Sequence, residues 1–116
     1  MREIEMTYRE MTESIRDYDF SDGFVLAEKI LTSPLCDLAM ALKIFYLANG
    51  YEFLKDPTGH EGGDARWLFF MSTLKKDIES GAFKNEGRAF RVPLTRNQKA
   101  GLKKMRIRDI FLTDIE

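Results

Sequence analysis

The sequence predicts a mainly α-helical fold, a single small domain over residues 1–116 with about five helices around a buried central helix. Its length is that of one domain, large enough to bury a core without disulfides. Apolar residues recur at steps of three and four in several segments, which is the helical period. Residues 38–49 are apolar on nearly every side, which is typical of a helix in the middle of a soluble domain. The C-terminal third leaves room for one short extended segment or hairpin.

The first two helices are predicted over residues 3–18 and 24–31. Residues 19–23 form the turn between them, where Ser and Asp side chains can cap the second helix. Ser33-Pro34 ends that helix, because the residue before proline is pushed out of the α region. The inward positions of the first helix follow steps of three and four: Ile4, Tyr8, Met11, Ile15 and Tyr18. Those of the second helix are Phe24, Ala27, Ile30 and Leu31.

The central helix begins after Asp37, a capping residue, and ends at Asn49-Gly50, where a left-handed residue is expected. A loop dense in turn formers follows at residues 56–63, and Asp64 is placed to cap a fourth helix that ends at Gly81. Phe69 alone among the aromatics of the fourth helix falls off its inward face. The inward positions are Trp67, Phe70, Met71, Leu74 and Ile78.

The C-terminal third contains one more predicted helix. Residues 88–92 alternate weakly, as in a short strand or an extended connection. Thr95 and Gln98 form a capping box for a helix over residues 96–105, and residues 107–112 pack as a tail. The inward positions of this last helix are Leu102 and Met105.

Several classes of protein are disfavoured by composition. The single cysteine, Cys36, rules out an intramolecular disulfide. The N-terminus has no apolar stretch that could act as a signal peptide, and the longest apolar run, residues 38–48, is too short to span a bilayer. A cytoplasmic location with no membrane partner is therefore expected.

Catalytic and metal sites also lack support. A nucleophilic Cys36 would need a base, but the only histidine, His60, lies in a glycine-rich loop, and Asp37 opposes thiol ionisation. The acids at 17, 19 and 22 lack the ligand spacing of a calcium loop. We therefore predict no catalytic residue, no metal and no cofactor. An enzyme whose polar residues converge only in space stays as a weak alternative.

The net charge of −1 hides an uneven distribution. Residues 1–83 carry 9 basic and 15 acidic side chains, whereas residues 84–108 carry 9 basic side chains and one acid. Such a split concerns partners rather than fold. The acidic residues predicted to meet a cationic protein are Glu10, Glu13, Asp17, Asp19 and Asp22. The residues of the alternative nucleic-acid face are Arg96, Lys99, Lys103, Lys104 and Arg106.

Spaced blocks of sequence resemble a bacterial family known as domain of unknown function 4274. The blocks are residues 18–23, Pro34-x-Cys36-Asp37, Ala41-Leu42-x-Ile44-Phe45-Tyr46-x-Ala48-x-Gly50, Trp67, Pro93-Leu94-Thr95-x-x-Gln98 and Ile110-Phe111-Leu112. The resemblance covers roughly residues 18–113. Phe20-Ser21 departs from the family pattern, in which an aromatic is followed by a second acid. So does Ala39-Met40, which follows Leu38.

The resemblance implies a small bacterial protein without an established activity. Families of this kind often include immunity proteins encoded beside toxins. The leading hypothesis is a protein-binding module, an immunity protein that neutralises a cationic toxin domain by stoichiometric binding. The alternative is a nucleic-acid-binding accessory protein that uses the basic segment 84–108.

Overall fold

The computed structural model describes residues 7–20, 23–57 and 65–116. Within these residues the chain forms six α-helices and a short 3-10 helix, which confirms the mainly α-helical fold. The predictions for Ile4, Ser21, Asp22, His60 and Asp64 lie outside the described residues. The helices are α1 (Tyr8–Arg16), α2 (Val25–Leu31), α3 (Leu38–Leu47), α4 (Gly50–Lys55), α5 (Ala65–Glu79) and α6 (Arg96–Lys104), with the 3-10 helix at Asp109–Phe111.

Helix α3 is the centre of the fold. It packs against α1, α2, α4 and α5, so its apolar side chains meet neighbours on most sides. This explains why its sequence lacks a polar face and confirms the predicted central helix. Its fully buried side chains are Met40, Ala41, Leu42, Ile44 and Phe45.

Hydrogen-bonded caps start three of the helices. The Asp37 side chain accepts from the Met40 N–H at 3.0 Å, as predicted. Thr95 and Gln98 form the predicted capping box of α6. A second capping box, which the sequence prediction missed, joins Thr7 and Glu10 at the start of α1. Thr7 is extended at this cap, so the predicted start of the first helix at residue 3 is wrong.

Helix α4 was not predicted. Asn49 adopts the expected left-handed conformation, with φ 68°, but the chain turns there and resumes as a helix. At Gly50 a Cβ atom would lie 2.4 Å from the Phe45 ring, so only glycine fits between the two helices. The Asn-Gly pair therefore marks a corner between helices, and Phe53 and Leu54 of α4 join the core.

The C-terminal third consists of an extended connection, helix α6 and a tail. Its extended part makes one antiparallel bridge, between Phe90 and Ile115. The Val92 N–H donates to the Asp114 carboxylate at 2.8 Å. In the tail, Phe111 is fully buried against Phe45, as the prediction of a packed tail required.

Met105 corrects one prediction of burial. The sequence predicts an inward position for it in the last helix, but its side chain is 48% exposed. Helix α6 ends at Lys104, and the Arg106 and Ile107 N–H groups donate to the carbonyls of Lys103 and Leu102. This is the Schellman pattern, which reverses the chain and turns Met105 outward.

No helix of the described residues is long and apolar enough to cross a membrane.

Candidate functional site

Asp37 is the centre of a buried polar cluster, and it is the buried charged residue of the described chain, with 1% exposure. One carboxylate oxygen accepts from the Tyr8 hydroxyl at 2.9 Å and from the Met40 N–H at 3.0 Å. The other accepts from the Arg88 guanidinium at 3.2 Å. Three donors from three parts of the chain thus satisfy a charge that would otherwise be costly to bury.

The cluster holds the N-terminal helix and the 84–92 connection against the start of α3. The Arg88 guanidinium lies over the Tyr8 ring, 3.7 Å from its centroid. The Leu38 N–H lies in the first turn of α3 and has no acceptor within the helix, and it donates to the Lys84 carbonyl at 2.8 Å. The cluster therefore joins three segments that are distant in sequence.

Tyr8 and its neighbour Cys36 keep their protons at neutral pH, because the pKa of each is raised. Burial raises the pKa of Tyr8, and the hydrogen bond to Asp37 raises it further, so the phenol remains a donor. Burial also raises the pKa of the Cys36 thiol to about 12, with a further contribution from Asp37. A thiol with that pKa is a poor nucleophile, which agrees with the expected packing role of Cys36 beside the core.

A groove between α2 and α5 is a concave apolar surface that reaches solvent. Both helices pack on α3, and the space between them is not filled. The groove has two open sections of about 290 and 500 Å³ that share Glu28, Phe69 and Phe70. We call this surface the α2–α5 groove. Its lining is Gly23, Phe24, Val25, Glu28, Leu31, Thr32, Ala65, Arg66, Phe69, Phe70, Thr73, Leu74, Asp77 and Phe83.

Two large apolar side chains stand at the groove and face water. Phe69 is 76% exposed and Val25 is 78% exposed. Beneath them Phe24 stacks on the buried Phe70 with ring centroids 4.5 Å apart. An apolar floor with exposed apolar side chains at its edge is a surface that a partner can cover.

The groove also carries two acids, Glu28 and Asp77. Glu28 lies where the two sections meet, and Asp77 lies at one end beside Phe83. Within the described residues, neither carboxylate has an ion pair or a hydrogen-bond donor. The other end carries Arg66, which interacts within the fold.

Most of the predicted acidic face is used inside the molecule. Glu10 accepts from the Thr7 N–H at 3.0 Å as part of the capping box. Glu13 pairs with Arg9 at 3.0 Å, and Asp17 lies 3.7 Å from Arg16. Asp19 is exposed, and Asp22 lies outside the described residues. The structure does bring Glu10, Glu13 and Asp17 together on and beside one helix.

The basic segment is also partly engaged. Arg88 binds Asp37, Lys99 lies 3.8 Å from Asp114, and Arg108 donates to the Glu79 carbonyl at the end of α5. The remaining predicted residues of the basic face are exposed at the two ends of α6: Arg96 at its start, and Lys103, Lys104 and Arg106 at its end. Arg106 has a φ of 65°, a left-handed conformation that costs a non-glycine residue about 1 kcal/mol.

Sequence reasoning missed both the cluster and the groove. The bonds of Asp37 span 29 residues to Tyr8 and 51 residues to Arg88, so no local motif announces them. The groove had one signal in the sequence, the outward position of Phe69.

Among the described residues, no group of His, Cys, Asp and Glu is arranged to hold a metal ion.

Comparison with known proteins places the chain in a family. The family model described as Domain of unknown function (DUF4274) matches residues 8–78, which include α1 to α5 up to the last buried residue of α5. No curated protein and no solved structure matches the chain. The match covers more than half of the sequence and includes both Asp37 and most of the α2–α5 groove. The chain is a member of the family of domain of unknown function 4274.

Proposed function

We propose that this protein is a protein-binding module that captures one partner at the α2–α5 groove. The observation that carries this proposal is the exposure of Phe69 and Val25 above an apolar floor. Leaving a phenylalanine in water gives up about 1.5–3 kcal/mol of burial energy, which a partner can recover. Aromatic residues in such positions are the usual anchors of protein interfaces.

The concrete form of the proposal is an immunity protein in the bacterial cytoplasm that neutralises a toxin by stoichiometric binding. In this mechanism the protein covers the toxin's active site or its access to substrate. Acidic side chains near the interface guide a cationic toxin domain to the groove, because opposite charges speed encounter. The excess of acids in residues 1–83, 15 against 9 basic side chains, supports this direction of attraction.

The decisive experiment starts from the genes beside the one that encodes this chain. We expect one of them to encode a toxin whose expression stops bacterial growth, and co-expression of this protein to restore growth. Phe69→Ser should abolish the protection while the protein stays folded. The matched control is Met105→Ser, which removes an exposed apolar side chain outside the groove, at 48% exposure. Loss of protection in both variants, or in neither, would argue against the groove as the binding site.

The exposed cations at the end of α6 favour one alternative, a nucleic-acid-binding accessory protein. Lys103, Lys104 and Arg106 are exposed and, within the described chain, have no ion pair. Arg106 keeps its charged side chain where glycine would be less strained. Under this alternative, affinity for an oligonucleotide falls steeply with added salt. Charge reversal at Lys103 and Lys104 should weaken binding, measured by fluorescence anisotropy, whereas no binding at low salt would exclude it.

A further inference from the structure

We infer that the α2–α5 groove receives an amphipathic helix of the partner, with lysine or arginine beside its apolar face. This inference rests on the proposed function and names the chemistry of the occupant. It follows from the shape of the groove, from the charges that line it, and from the kinds of segment that could fill it.

The walls of the groove are helix surfaces, which favours a helix between them. On α5 the groove residues Phe69, Thr73 and Asp77 recur every four residues. On the α2 side Val25, Glu28 and Thr32 recur at steps of three and four. Rows with this spacing form ridges, and the side chains of another helix pack into the spaces between such ridges.

The length of the groove fits a short helix. Between Arg66 and Asp77, both of which line it, α5 rises about 16 Å at 1.5 Å per residue. Three turns of a partner helix span that distance. Three turns present apolar side chains at positions i, i+3 or i+4, and i+7, the pattern of helix-in-groove recognition.

The acidic side chains that line the groove favour a basic occupant. Glu28 and Asp77 line the section that also contains Phe83, and no cation of the described residues lines that section. Neither acid has an ion pair within the described chain. A partner helix that brought acids or only apolar side chains would cover these carboxylates without compensation, which is costly. Lysine or arginine at the edges of the apolar stripe would pair with them.

Two other occupants fit less well. A peptide that adds as a β-strand needs an exposed sheet edge, and the described residues contain a single isolated bridge at Phe90 and Ile115 instead of a sheet. A second copy of the chain would meet its own surface about a two-fold axis. Such a contact would bring Glu28 and Asp77 of both copies into one apolar interface, where like charges repel.

The test is a selection on the full-length protein. A phage-displayed library of helical peptides about 15 residues long would fix leucine on one face and vary the flanking positions among lysine, glutamate and glutamine. We expect selection to enrich lysine strongly over glutamate at the flanking positions. The same selection on the Phe69→Ser variant should lose these peptides.

Affinities of the selected peptides then test the named acids. By fluorescence anisotropy, Glu28→Lys should weaken binding of a lysine-flanked peptide about tenfold. The matched control is Glu52→Lys, which makes the same change in net charge on α4, outside the groove. It should change the affinity by less than about twofold, as expected for a screened surface charge.

Other outcomes would overturn the inference. Peptides that need Phe69 but show no preference for lysine would overturn the basic occupant and leave the proposed function standing. Selected peptides that bind Phe69→Ser equally well would show that helices do not enter this groove. A dimer in sedimentation equilibrium that Phe69→Ser dissociates would assign the groove to a second copy. The proposed function itself fails separately, if Phe69→Ser still protects cells from the neighbouring toxin.

Discussion

The Asp37 cluster and the α2–α5 groove differ in whether their side chains find partners within the described chain. Around Asp37, a charge is buried and every oxygen of its carboxylate has a donor. In the α2–α5 groove, Phe69 and Val25 are exposed to water, and the carboxylates of Glu28 and Asp77 have no partner among the residues that the structure describes. The first arrangement is complete within the chain and stabilises the fold. In the groove, the exposed apolar side chains and the two acids have no partner among the described residues, so a partner molecule can satisfy them.

The largest expected effect on the free energy of unfolding comes from a substitution in the Asp37 cluster. Asp37→Ala removes the acceptor of three donors and the N-cap of α3. We expect the free energy of unfolding, measured with urea, to fall by about 3 kcal/mol. The loss should stay below the largest values for buried pairs, because the Arg88 side chain is 47% exposed and can turn to water.

The control for that change is Asp17→Ala, which removes an exposed acid at the end of α1. It should alter the unfolding free energy by no more than about 0.5 kcal/mol. Equal effects of the two changes would mean that the Asp37 cluster does not stabilise the fold.

A smaller effect is expected for Tyr8→Phe. The substitution removes one of the three donors to Asp37 and keeps the ring on which Arg88 stacks. The unfolding free energy should fall by about 1 kcal/mol, the usual net value of one hydrogen bond. Tyr51→Phe, on the α4 surface near Lys55, is the matched change and should be nearly neutral. A neutral Tyr8→Phe would show that the remaining two donors are sufficient.

Acid should weaken the cap at Glu10. Hydrogen bonds from the Thr7 backbone and side chain lower the pKa of Glu10 below its usual 4.5. A lowered pKa in the folded state means that this contribution is present above pH 4.5 and is lost as the pH falls through the folded value. Glu10→Gln keeps the capping box without a titrating group. The urea midpoint of the wild type, relative to that of Glu10→Gln, should therefore decrease below pH 4.5 and stay constant above it.

The smallest effect on stability belongs to the groove. Phe69→Ser should leave the unfolding free energy within about 0.5 kcal/mol of the wild type, because the ring is already in water. Its neighbour Phe70 is 7% exposed, and Phe70→Ser should cost about 3 kcal/mol or more. If the two changes were equally damaging, Phe69 would belong to the core and the groove would lose its main anchor.

Local patterns were sufficient to predict most of the helices. The three- and four-residue steps through Met11 and Ile15, and those through Phe70 and Ile78, identified faces that are buried in the structure. The caps at Asp37 and Thr95 were predicted because a cap depends on residues within one turn of the helix. These features are encoded over a few residues, so the sequence displays them directly.

Features that depend on tertiary contacts could not be predicted. Helix α4 was missed because Asn49-Gly50 is the usual signal for an end, and only the packing of Gly50 on Phe45 shows that a helix follows. Met105 was misplaced because the chain reverses one residue earlier than its apolar spacing suggested. The groove is made by two helices, by the residues that flank α2 and by Phe83, and it depends on how both helices pack on α3.

The buried ring of Phe111 has a consequence for where the folding unit ends. It packs 5.0 Å from Phe45 of the central helix, and the Tyr46 hydroxyl donates to its carbonyl. The region recognised as the family stops at residue 78, some thirty residues short of this contact. A fragment cut at that boundary would leave an open hole beside Phe45 and would expose its apolar lining. The stretch needed for a stable molecule is therefore longer than the stretch by which the family is recognised.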